Sequence, residues 1–599
     1  MDVTNLARDW AALPQLSQIH ASGDGRWAFF CASGLTEVDE VFAVPTDGAT
    51  GPVQLTFGTD HHLIRDVSHD GMLLVLAQSD SASEHDHLML LDRRVGNRLR
   101  LLTPKQGSHY VYGGRLTRDG GVIFVTDYDY EREVVISGAA VWWQDLSTGH
   151  RRILARTRNF FDRAPSISPS GAQVLLNVNE RLPGGGQIWV MGLDGSDLRE
   201  VLAFGPRNNT RGEWISDDLI AFVTDREGRD QLGILSLATG LVDWVGGEPD
   251  LLPHAVLAGP GRFAVIAHDA SRSVARVWNG TLTDLPNLSG RRSLLPHAPL
   301  PDGGWIAEAY DAEAPHELVR VAPDGGCQRL TRQVASARTY VAPQDFRWTS
   351  VDGRACQGWL YRPEGPSRGF IAYVHGGPTW HSEDWVNLKI GFWVQSGYTV
   401  LDPNYRGSTG FGHDWREAVK DDGWGGREQA DIRAGIEACV AQGHAVKGKI
   451  AVAGNSYGGF SSWFAITRHA DLVDAAIPMC GMYWLDIDYH QTQMPHGRAY
   501  SREMMGGTPE ELPEKYANAS PGNFIDRIRG QVLIVHGLAD SNVGPENSHV
   551  AVRDLTAAGI AHEALLFANE GHGVFRRLNV ATYLERTAQF LARAFGGAP

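Results

Sequence analysis

The chain has 599 residues, more than one hydrophobic core usually holds, so at least two domains are required. Its formal charge of −16, with no long Lys/Arg cluster, argues against nucleic acid or an anionic membrane surface as a partner. Five scattered cysteines, Cys31, Cys327, Cys356, Cys439 and Cys480, form no C-x-x-C pair, which argues against a disulfide framework or a zinc ribbon.

The N-terminus carries neither a basic nor an apolar signal region, and no apolar run approaches the ~18 residues of a membrane span. A soluble, cytoplasmic protein is expected. From about residue 15 to 333, a turn followed by an apolar strand returns seven times, at 22–30, 68–76, 117–125, 168–171, 216–222, 259–265 and 300–305. Second-strand signals lie between the copies, as at 40–44, 87–91, 187–191 and 318–321, and a further short strand follows, as at 53–56. Repetition at a period of roughly 40–50 residues, with Asp-Gly turns suited to hairpins, predicts a seven-bladed β-propeller over 15–333. Paired β-sandwiches are the alternative, but they do not repeat one motif seven times. The most polar stretches of this half are 83–87 (SEHDH) and 127–133 (DYDYERE). Either could meet a ligand's amino group or a metal, but neither has a ligand spacing, so both read as solvated blade loops.

Residues 334–348 read as a connector. Beyond it strands alternate with helical stretches, predicting an α/β domain over 349–599 around a doubly wound, mostly parallel sheet. The strands fall at 369–374, 398–402, 449–453, 475–479, 531–535 and 563–567, with helical periodicity over 429–441 and a closing amphipathic helix over 583–595. Residues 1–14 precede the repeats and are expected to pack on this second domain.

Within it, the 449–453 strand runs into Gly454-Asn455-Ser456-Tyr457-Gly458-Gly459 and leaves as a helix. That is the setting in which G-x-S-x-G makes a nucleophile elbow. Two later strands end in His536-Gly537-Leu538-Ala539-Asp540 and Asn569-Glu570-Gly571-His572-Gly573, where a sheet presents its functional loops. The order Ser456, Asp540, His572 is that of a hydrolase triad. Serine is a poor nucleophile until an imidazole takes its proton, and a buried carboxylate fixes that imidazole's tautomer. His375-Gly376-Gly377-Pro378, after another strand, offers backbone N–H groups for an oxyanion. The amides of Gly377 and Tyr457 are assigned to that hole.

A propeller followed by H-G-G-P, then Asn404-Tyr405-Arg406-Gly407, G-N-S-Y-G-G, H-G-L-A-D and E-G-H-G resembles the prolyl oligopeptidase family of serine peptidases, most closely its acylaminoacyl-peptidase and bacterial aminopeptidase-like branch. The resemblance implies cleavage of short peptides through an acyl-enzyme, with the propeller limiting access, and no cofactor or metal. It implies no nucleic-acid or membrane partner, and leaves a homo-oligomer open. An esterase or small-amide hydrolase of the same fold, and a non-catalytic scaffold, are the alternatives. His375 stands where other branches carry a Tyr that donates to the oxyanion. Asn542 stands where the acylaminoacyl branch has an Arg that holds a substrate carbonyl. With Trp484 and Tyr489, from the segment that forms the family's pocket for the residue before the cut, these are the candidate substrate contacts.

Overall fold

The computed structural model describes residues 2–79, 83–105, 109–161, 163–246, 251–259, 261–269, 271–285, 292–332 and 337–597. Seven four-stranded antiparallel sheets occupy 15–54, 61–101, 111–157, 166–202, 210–245, 251–284 and 293–329, and form the blades of a propeller. The turn that the sequence repeats joins the first and second strands of each blade. In blade 1 it is closed by Ser22 Oγ donating to Asp24 Oδ1 at 2.6 Å, and in blade 2 by Ser68 donating to Asp70 at 2.6 Å. Short Asp and Ser side chains favour such turns because they satisfy nearby backbone and hydroxyl groups locally. Each blade uses only its own four consecutive strands, so no strand is shared where the ring closes. The seam between blades 7 and 1 is apolar packing of Ile19, Phe30 and Phe42 against Leu300, Ile306 and Leu318, with Gln328 Nε2 donating to the Asp47 carbonyl at 2.7 Å.

The second domain holds an eight-stranded sheet: β1 (Gln344–Thr349), β2 (Ala355–Tyr361), β3 (Phe370–Val374), β4 (Thr399–Asn404), β5 (Ile450–Asn455), β6 (Ala475–Met479), β7 (Gln531–Gly537) and β8 (His562–Phe567), in the order β1-β2-β4-β3-β5-β6-β7-β8. The β1–β2 and β2–β4 pairs are antiparallel and the rest parallel. β1 corrects the expected connector, because residues 344–348 pair into the sheet and Phe346 and Trp348 enter its core. The expected propeller end at 333 and connector residues 334–336 lie outside the described residues.

Helices cover both faces, as a parallel sheet buried on both sides requires. On one face, core residues of Val3–Ala11 (α1), Leu388–Gln395 (α2) and Arg577–Ala594 (α6) pack together; on the other lie Arg427–Ala441 (α3), Tyr457–Arg468 (α4) and Glu546–Ala557 (α5). The N-terminal helix therefore seats on the second domain. Trp10 is fully buried, and its indole N–H donates to Gln395 Oε1 at 2.8 Å. Among the described residues, no helix is long and apolar enough to cross a membrane.

Candidate active site

β5 ends at Asn455 and α4 begins at Tyr457, leaving Ser456 between them at φ 58° and ψ −119°. A non-glycine residue held there costs about 1–3 kcal/mol and persists only where its surroundings over-determine it. The Ser456 N–H donates to the Met479 carbonyl at 2.9 Å, and its carbonyl accepts from Phe460 N–H at 2.9 Å. Neighbouring glycines allow the elbow to sit this close to the sheet. A Cβ on Gly458 would fall 1.9 Å from the Val374 carbonyl oxygen, and one on Gly459 2.4 Å from that of Met479.

Tyr457 is the first residue of α4, where N–H groups have no acceptor within the helix. Its amide is thus available beside the serine, while its hydroxyl is committed to Glu428 Oε1 at 2.9 Å. Burial pushes the Glu428 carboxyl up to about 7, against hydrogen bonds from Tyr457 and nearby amides. The loop leaving β3 lies against the elbow, for a Cβ on Gly376 would come within 3.4 Å of Ser456 Cβ. Gly377 follows at φ 118°, a conformation that side chains disfavour.

Asp540 and His572, on the loops after β7 and β8, meet at 2.8 Å between Oδ2 and Nδ1. Asp540 Oδ1 accepts the amides of Asn542 and Val543, both at 2.9 Å, and His536 Nε2 stands 3.2 Å from Oδ2. Burial would raise this carboxyl, but the charge of His572 and hydrogen bonds from His536 and His572 hold it well below the usual carboxylate range. Burial would likewise lower the His572 imidazole. Its attraction to Asp540 and the hydrogen bond between them win, raising it to about 9.

The candidate substrate contacts separate. His375 is buried, stacked on Tyr405 with centroids 4.4 Å apart, and both ring nitrogens face protein: Nδ1 lies 2.8 Å from the Gly376 carbonyl and Nε2 2.8 Å from Ser408 Oγ. Burial lowers its imidazole to about 3. It braces the loop from behind, which corrects its assignment as a substrate contact. Trp484 is half-buried against Gly522, whose Cβ would lie 2.4 Å from the indole, and so serves core packing. Tyr489 is half-buried edge-on to Tyr516. Asn542 is half-buried, and its backbone caps the acid.

Several participants were missed. His536 sits inside the H-G-L-A-D motif, yet composition gave it no role; its second nitrogen, Nδ1, is 2.6 Å from Ser548 Oγ. Cys480, Asp540 and His572 bring a sulfur, an oxygen and a nitrogen within 4.8 Å of one another, though the acid and imidazole are already paired. The 83–87 stretch is not a solvated loop, because Ser541 Oγ donates to the Ser83 carbonyl at 2.5 Å. In the 127–133 stretch, Asp127 Oδ1 accepts the Tyr110 amide at 2.7 Å and Asp129 pairs with Arg156 at 2.8 Å, so these two acids are used within the fold, while Glu131 and Glu133 are exposed.

Propeller contacts reach several segments of the second domain. Glu37 and Thr59 carbonyls accept from Arg577 N–H and Arg576 Nη1, both at 2.9 Å; Gly184 N–H donates to Glu503 at 2.7 Å; and Arg416 pairs with Asp225 at 2.8 Å. Arg272 pairs with Asp384 at 2.5 Å and Tyr310 donates to Glu383 at 3.0 Å. Contacts thus run from blade 1 to blade 7.

Residues 385–598 match the prolyl oligopeptidase family. Dipeptidyl aminopeptidase BIII of Pseudoxanthomonas mexicana is 25% identical over 98% of this chain and 87% of its own length. Acylamino-acid-releasing enzyme of Arabidopsis thaliana is 26% identical over 36% of this chain and 30% of its own length. Among solved structures, a puromycin-hydrolyzing peptidase of Mycobacterium tuberculosis superposes with a TM-score of 0.84 at 22% identity, covering 99% of this chain and 96% of that one. Acylaminoacyl peptidase of Pyrococcus horikoshii superposes with a TM-score of 0.74 at 16% identity, covering 99% and 98%.

Proposed function

We propose that this chain is a serine peptidase of the prolyl oligopeptidase family, whose model matches residues 385–598, and that it cleaves short peptides, as an exopeptidase or oligopeptidase, with Ser456, Asp540 and His572 as its triad. The observation that carries this reading is the 2.8 Å Asp540–His572 pair together with a serine held at φ 58°, whose N–H bonds to Met479, the neighbour of the Cys480 that lies within 4.8 Å of that pair. Ser456 Oγ attacks the scissile carbonyl while His572 Nε2 takes its proton, and Asp540 steadies the imidazolium that forms. The carbonyl oxygen, now an anion, is held by the amides of Gly377 and Tyr457. Such donors are worth roughly 3–4 kcal/mol each when aimed at the developing charge. Collapse expels the amine with the proton from His572, and water drawn through the same imidazole releases the acyl group.

The ring of propeller contacts supports size selection. A folded protein would have to unfold to reach Ser456, at a cost of about 5–15 kcal/mol. The test compares kcat/KM for peptide anilides with free and acylated amino termini, matched acyl esters, and a folded protein carrying the same cleavable sequence in a structured region. Short peptides are expected to be cut and the folded protein spared. Cleavage of esters alone would overturn the peptidase reading for this site, and equal cleavage of folded protein and peptide would overturn size selection.

The His572 value also sets a pH dependence. Only neutral imidazole can accept the serine proton, so kcat/KM for an uncharged substrate should rise about tenfold per unit below the His572 pKa and level off near pH 9. A profile already flat at pH 6 would show that the base titrates elsewhere.

A further inference from the structure

Away from the triad, three metal-binding side chains from both domains converge. His268 belongs to the Arg262–Asp269 strand of blade 6, and His381 and Glu383 follow the His375–Pro378 turn. All three are buried, and one donor atom from each lies within 4.8 Å of the other two. His381 Nε2 is 3.1 Å from Glu383 Oε1, and the His268 and His381 rings meet edge to face with centroids 4.3 Å apart. Donors placed about 2.0–2.1 Å from a tetrahedral zinc ion stand about 3.3–3.4 Å from one another. Small side-chain rotations therefore bring this set onto one ion.

The surroundings orient the donors through hydrogen bonds, as the outer partners of metal ligands do. His381 Nδ1 lies 2.7 Å from Thr409 Oγ1, which turns Nε2 toward Glu383. Ser273 Oγ donates to Glu383 Oε1 at 2.6 Å, while Tyr310 OH and the Ser273 N–H donate to Oε2 at 3.0 and 3.2 Å. The neighbouring Asp384 is paired with Arg272 and stays out of the set. Two imidazoles and a carboxylate without thiolate suit zinc and related divalent ions.

We propose that His268, His381 and Glu383 bind one zinc-type divalent ion that clasps blade 6 to the hydrolase segment behind the oxyanion loop. Water completes the coordination, and the ion takes no part in bond cleavage. The clasp holds two functional stretches at once. His381 and Glu383 lie a few residues beyond Gly377, and the His268 ring abuts Gly410, where a Cβ would come within 3.1 Å of it. Zinc occupancy would thus favour the closed arrangement of the domains on this side.

The full-length protein is stripped with a chelator, dialysed and titrated with zinc chloride by calorimetry, with bound metal counted by mass spectrometry. A His572→Gln background removes the Cys480–Asp540–His572 group as a competing zinc ligand set. One equivalent of zinc and a rise in melting temperature are expected in that background. His268→Gln and Glu383→Gln should each weaken binding by about tenfold or more. Glutamine retains a hydrogen-bonding group at each position, and metal-free melting curves check that the variants fold. X-ray absorption of the zinc-loaded wild-type protein, which needs no variant, should find two imidazoles and only nitrogen and oxygen donors. No stoichiometric binding, binding indifferent to His268→Gln, binding lost in the His572→Gln background, or a sulfur donor would each overturn the proposal.

Discussion

Ser456→Ala is expected to fold normally, to bind short peptide and to turn it over about 10⁶-fold more slowly, with complete loss of fluorophosphonate labelling. The size of the effect follows from what is removed. The elbow exists to present one oxygen, and alanine keeps the backbone hydrogen bonds to Met479 and Phe460 while deleting that oxygen. Alanine meets the same positive-φ strain as serine, so the melting temperature should change little. What survives is the contribution of binding and oxyanion stabilisation, about 10³–10⁴ over water. The measurement is kcat on a peptide anilide together with labelling, on protein free of wild-type contamination. Retention of activity within tenfold would remove Ser456 from the mechanism.

Asp540→Asn is the second large effect, expected to lower kcat by about 10⁴ with a modest change in KM. The asparagine is nearly isosteric, so the acceptor for the amides of Asn542 and Val543 can be kept and the loop should hold its shape. Its amide, however, can present an N–H to His572 Nδ1, stabilising the tautomer whose proton sits on Nε2, the wrong atom for a base. The loss of the carboxylate charge also removes what raises the imidazole. The residual activity should therefore lose its rise toward pH 9 and titrate at lower pH. A loss below about tenfold, or an unmoved profile, would assign the orienting role to another group.

The elbow and the loops bearing Asp540 and His572 were legible because their signals are local: strand, glycine, nucleophile, helix, then two strand ends in the right order. The glycines were readable for the same reason, each being fixed by a close approach to β3 or to the end of β6. β1 was not legible, since only Phe346 and Trp348 of its six residues are buried and the strand pairs along one side alone. Its alternation is too short to stand out from a linker. The 83–87 stretch was misjudged for a different reason. Its partner Ser541 is 458 residues away, and composition carries no trace of a contact made only when the two domains meet. His375 looked like a substrate contact from its place in the motif, but the occupants of its two nitrogens come from the turn itself and from Ser408, which only the folded backbone reveals.

The seat of α1 has a consequence for the order in which the protein is made. Trp10 bonds to Gln395, 385 residues further along, and its ring presses against Gly391, where an added Cβ would lie only 2.1 Å away. At roughly 5–20 residues per second on the ribosome, the nascent helix waits about 20–80 s before Gln395 has been translated, and longer still for α6. All seven blades emerge in that interval. This helix, made before the propeller, is thus among the last elements to find its place, and an indole stays wet until then. A chaperone that shelters early apolar segments would have its natural client in the Val3–Ala11 helix.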